Sequence, residues 1–143
     1  MKDNVLAIIK YLLAILFIYA GVYKLFDVKN FASQMYQSPL LPSIFIPYIS
    51  VILPALEIIL GGLLVFSRRY VSCILWISLS LMIFFSTYLI MLYTLYEKPP
   101  CACGGILSMM TYPQHISFNI FFTLISAIGI YLYEKKNKAN NIT

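Results

Sequence analysis

Polar and apolar positions do not alternate along this chain. They segregate into blocks. Four apolar stretches stand out, Val5–Phe26, Phe45–Phe66, Val71–Tyr96 and Ile116–Tyr133, separated by short segments rich in Lys, Pro, Gly and Ser. Each is long enough for the roughly 20 helical residues that a bilayer crossing needs. Charges inside them are few: Lys10 and Lys24 in the first, Glu57 in the second, none in the third or fourth. Backbone groups in hydrocarbon must be satisfied within the segment, so all four stretches are expected to be helices. Antiparallel helices joined in chain order predict an all-α integral membrane protein built as a four-transmembrane-helix up-down bundle.

Composition agrees. Of the 143 residues 62% are hydrophobic and 10% charged, and the mean hydropathy is +0.88. A soluble domain carries about 25% charged residues, and a chain this small cannot hide so much apolar surface in its own core. The bilayer is the expected partner. Soluble-enzyme and nucleic-acid-binding readings are excluded, because the net charge of +5 comes from cations at the ends of apolar runs.

Those cations also predict orientation in a bacterial inner membrane. Lys2, Lys10, Arg68, Arg69, Lys135, Lys136 and Lys138 fall on one side; Lys24, Lys29 and Lys98 fall on the other. The richer side is cytoplasmic by the positive-inside rule. Both termini and the Ser67–Tyr70 turn are then cytoplasmic, and the loops 27–44 and 97–114 face outward. Ile18-Tyr19-Ala20 is a poor small-x-small cleavage site, so the first span is expected to be retained. Phe31 and Met35, four apart ahead of Pro39 and Pro42, fit either a short interfacial helix or a plain loop. Residues 135–143 form a polar tail that is expected to be frayed.

Candidate chemistry concentrates in the second outer loop. In Cys101-Ala102-Cys103-Gly104-Gly105 two thiols stand close enough for a small, strained disulfide, the kind that tends to be labile or catalytic. A static disulfide and two idle thiols are the bland readings of the same motif. His115, at the start of the fourth helix, is a candidate base for making a thiolate. Two thiolates, two thioethers and an imidazole would also suit Cu(I), with Cys101, Cys103, Met109, Met110 and His115 as ligands. Cys73 lies roughly 35–40 Å away along the third helix and reads as a small buried apolar residue.

Glu57 is the one acid deep in a span. At that depth it is either functional or a polar lock on helix packing. Pairing with Lys24 requires the lysine to reach inward from near the outer end of the first helix. Gly61-Gly62 would let a neighbouring helix approach closely.

Several of these residues occur in a familiar order. Gly21-Val22-Tyr23-Lys24-Leu25-Phe26-Asp27 with Phe31, then Leu40-Leu41-Pro42, then Pro54-Ala55-Leu56-Glu57-Ile58 with Gly61, then Cys101-Ala102-Cys103-Gly104, resembles the MauE branch of the DoxX-like membrane proteins. The likeness runs from the first helix to the fourth. It implies an accessory role in forming disulfides in exported proteins beside a thioredoxin-like partner, the methylamine dehydrogenase light chain being the client that gave the family its name. It makes Cys101 and Cys103 the redox pair, and Lys24, Asp27 and Glu57 framework positions. Gly104 stands where the family often has a bulky aromatic residue. The expectation is a membrane thiol–disulfide accessory protein, a possible oxidoreductase, with a membrane quinone as electron acceptor near Tyr93, Tyr96 and Tyr112. The alternatives are a Cu(I)-binding protein and a non-catalytic scaffold for a periplasmic partner.

Overall fold

In a computed structural model, residues 2–38, 40–96 and 109–142 are described. Among them there are five helices and no strand: α1 (Lys2–Phe26), α2 (Val28–Tyr36), α3 (Ile46–Phe66), α4 (Val71–Leu95) and α5 (Tyr112–Ile142). Four of them, all but α2, are long and apolar enough to cross a membrane. The expected four-span bundle is therefore present; α3 and α4 lie within one residue of the stretches read from sequence, α1 begins three residues earlier, and α5 differs more.

Each span buries one stripe. On α1 it runs through Leu6, Ile9, Leu13, Phe17, Ala20 and Lys24, steps of three and four residues that keep to one face of an α-helix. On α3 it runs through Ile46, Ser50, Pro54, Glu57, Gly61 and Leu64. Both charged residues thus lie on core-facing stripes, in register with apolar neighbours. Only 22–39% of the residues in each span's apolar window are buried, and outward residues such as Phe26 and Phe66 are almost fully exposed. The remaining apolar surface is what lipid covers.

The spans pair off. α1 packs mainly on α3 and α4 mainly on α5, while α1–α5 and, more sparsely, α3–α4 close the ring. The α1–α3 seam is tight for a physical reason. A Cβ on Gly21 would lie 2.6 Å from the Pro54 carbonyl oxygen, and one on Gly61 would lie 2.5 Å from Ile18 Cγ1 and 2.9 Å from the Ala14 carbonyl oxygen. Only glycine allows backbones to approach this closely. Gly62 has open space around it, so of the two adjacent glycines Gly61 alone serves the contact.

The segment after α1 is a helix rather than a plain loop. Asp27 is its N-cap and accepts a hydrogen bond from the Asn30 N–H at 3.3 Å, satisfying one of the free donors of the first turn. Phe31 and Met35, one turn apart, turn inward onto Ile46. The Tyr88 hydroxyl donates to Ser38 Oγ at 2.9 Å, which ties the chain after α2 to α4.

Two expectations for the last helix are corrected. It begins at Tyr112, because the Thr111 N–H donates to Gln114 Oε1 at 3.0 Å, half of a capping box spelled Thr-x-x-Gln. It also runs on to Ile142 and does not fray at Lys135. Glu134, Lys135, Lys136, Lys138 and Ala139 are good helix formers, and no Gly or Pro interrupts them.

Candidate functional site

The other four helices converge beneath α2 around one ion pair. Lys24 Nζ donates to Glu57 Oε1 at 2.5 Å, with the two side chains 7% and 1% exposed. Lys24 does reach inward from the last turn of α1. Gly21, one turn earlier on the same stripe, makes the contact possible by letting α1 settle onto α3 beside Glu57, whose Cβ would be 3.1 Å from a Cβ on Gly21.

Two aromatic rings flank the ammonium, which also lines the cavity described below. Its Nζ lies 4.9 Å from the Phe85 ring centroid on α4 and 5.6 Å from that of Phe31 on α2, both within cation–π range. The carboxylate is less well served. Glu57 Oε2 is buried and has no hydrogen-bond partner among the described residues. A buried polar atom left in this state is costly, which calls for an explanation.

The pair borders a cavity of about 110 Å³. From α5, His115 and Asn119 line it, 2% and 6% exposed, and Asn119 donates from Nδ2 to the His115 carbonyl oxygen at 3.1 Å. Tyr88 lines it from α4. The rest of the wall is aromatic, aliphatic or thioether.

Of the sequence-predicted site residues, the structure thus brings together Lys24, Glu57 and His115. Asp27 stands apart and exposed, with the role of capping α2. Cys101 and Cys103 lie outside the described residues. The segment that holds them leaves α4 at Leu95 and re-enters α5 at Tyr112, whose ring stacks on Tyr93 at 6.1 Å. Met109 is exposed and Met110 half-buried, and the described residues contain no cluster of three or more His, Cys, Asp or Glu side chains fit for a metal. Cys73 is corrected: it is exposed on the outer face of α4, not buried, because Val71, Ile74 and Leu75 take the inward stripe.

Phe85 and Asn119 were missed from sequence. An amide inside the apolar fourth span was a signal available for Asn119; Phe85 sits in an unbroken apolar run and gives none.

A chain with four membrane-length spans, no strand among its described residues and a buried ion pair between two of the spans is a small multi-pass membrane protein. It belongs to the methylamine utilisation protein MauE family, whose profile matches residues 2–132. No curated protein and no solved structure matches the chain.

Proposed function

We propose that this protein is a thiol–disulfide exchange accessory of the bacterial inner membrane, working through Cys101 and Cys103 on exported proteins. The observation that supports this most is the coincidence of MauE-family membership with a Cys-Ala-Cys-Gly-Gly motif on the connection between the third and fourth spans. Both termini are cytoplasmic in this reading, and the cysteine loop faces the compartment where disulfides persist.

The exchange balances as follows. A thiolate of a thioredoxin-like partner, or of the client itself, attacks one sulfur of the Cys101–Cys103 disulfide and forms a mixed disulfide. Its second thiol then resolves that bond. Both loop cysteines leave as thiols, and the partner gains the disulfide. The reduced pair returns two electrons and two protons to a membrane quinone, giving quinol and the loop disulfide. His115 serves the loop as the base that favours the thiolate.

The test is thiol labelling of intact membranes with an impermeant alkylating reagent, at a series of imposed redox potentials. Labelling of both cysteines from outside, only after reduction and with a reversible midpoint, is expected. A pair that cannot be reduced under native conditions overturns the exchange reading and leaves a structural clip. A pair that is always reduced and is shielded only by added Cu(I) replaces it with a metal site.

A further inference from the structure

We infer that the cavity beneath α2 is the binding site for the ring of a membrane quinone, with Glu57 Oε2 and Lys24 Nζ holding its oxygen atoms. The inference rests on the quinone part of the function proposed above and moves the acceptor from the tyrosines at the bilayer edge to the interior of the bundle.

Four observations carry it. The first is the unpartnered, buried Glu57 Oε2 on the cavity wall. It is an acceptor without a donor, and a quinol hydroxyl supplies one. The second is the ammonium of Lys24. It has three donors, one of them given to Glu57 Oε1, so a quinone carbonyl oxygen can accept from another. One ion pair thus suits both oxidation states of the same ligand. The third is charge: lysine and glutamate sum to zero, so the site favours a neutral molecule over an ion.

The fourth is size and access. At about 110 Å³ the space is of the order of one six-membered ring, since an apolar cavity of about 150 Å³ takes benzene. Its walls include Ile49 and Leu53 of α3 and Phe84 and Phe85 of α4. These two helices are sparsely packed on each other. Phe84 is 59% exposed on the outer face, so the cavity reaches the lipid-facing surface between α3 and α4. A ring with an apolar tail can enter sideways from the bilayer and leave its tail in the gap.

The test uses the full-length protein in lipid nanodiscs and a photoreactive azidobenzoquinone, with decylubiquinone and its quinol as competitors. Saturable labelling of the 46–66 and 71–95 segments, displaced by decylubiquinone, is expected. Labelling that never saturates marks an acyl chain in the crevice and overturns the site. Labelling confined to peptides around Tyr93 and Tyr112 overturns it too. Ala20→Leu fills the cavity from α1 while keeping both charged residues and should weaken both ligands by about tenfold or more; unchanged affinity refutes the assignment. Glu57→Gln keeps a carbonyl for Lys24 and turns an amide donor toward the cavity. It should weaken quinol by about tenfold and leave quinone nearly unaffected, a change in ratio that misfolding cannot imitate. Equal effects on both remove Glu57 from the site. Binding should survive Cys101→Ser/Cys103→Ser, so an inert cysteine pair would sink the exchange reading while leaving this one standing.

Discussion

The two helix pairs of this bundle solve the same packing problem with different means. Along α1–α3 the backbones touch: Gly21 meets the Pro54 carbonyl and Gly61 meets that of Ala14, and the seam ends in a buried ion pair. Along α4–α5 the contact is made by side chains such as Ile74, Leu75 and Ile130, with the small hydroxyls Ser78 and Ser126 fully buried among them. A Cβ on Gly129 of α5 would lie 3.0 Å from Ile9 Cγ2 on α1, a side-chain methyl and not a backbone atom. Lipid gives helices little hydrophobic reason to associate, so close backbone fit and buried polar contacts must supply the specificity. The α1–α3 seam has both, and it is where the candidate site lies. The other pair acts as a wall that contributes Phe85, Tyr88, His115 and Asn119.

That contrast can be broken most severely at the ion pair. Removing one partner strands the other charge in the bundle, so Glu57→Leu or Lys24→Met alone should lower stability by about 3–5 kcal/mol. The double variant should recover much of the loss. Thermal unfolding in detergent, followed by circular dichroism, reads all three proteins. A double variant as unstable as the worse single one would mean that the pair is held by more than its own charge balance.

The seam itself is the next place to press. Gly21→Ala drives a methyl against a backbone oxygen that cannot rotate away, at a cost of about 1–3 kcal/mol. Gly62→Ala, facing open space one residue beyond Gly61, should instead be neutral or stabilise by up to about 1 kcal/mol through helix propensity. Equal effects at the two positions would show that the tight approach of α1 and α3 is not the source of the specificity.

The smallest effect is expected at the cap of α2. Asp27→Ala loses the N-cap of α2, about 0.5 kcal/mol at an exposed cap with a long hydrogen bond. It should speed hydrogen exchange across Val28–Tyr36 and leave that of α3 unchanged. Exchange that rises in α3 as well would make α2 part of the core instead of its cover.

Much of this architecture could be read before any coordinates. The four spans followed from block length and the scarcity of charge, and the second and third lie within one residue of the stretches read from sequence. The last does not, for local reasons that were written in the chain: Thr111-x-x-Gln114 is a helix start, and the run from Glu134 to Ala139 contains no helix breaker. The inward face of Phe31 and Met35 was visible in their spacing, but the choice between helix and loop turned on a cap at Asp27. Cys73 was misjudged because a small thiol suits either face of a membrane helix. Its neighbours Val71, Ile74 and Leu75 decide which.

The candidate site divides along the same line. That Glu57 is exceptional follows from one acid among apolar residues, since hydrocarbon makes any such group expensive and therefore purposeful. Membrane insertion, helix number and the isolation of this acid all follow from composition and period, because lipid imposes them on each segment separately. The partner of Glu57, the rings over Lys24 and the cavity shared with His115 depend on how five helices are rotated against one another. Contacts between residues far apart in the chain set that rotation, above all the approach of Gly21 to Pro54 and of Gly61 to Ala14, and no single segment encodes it.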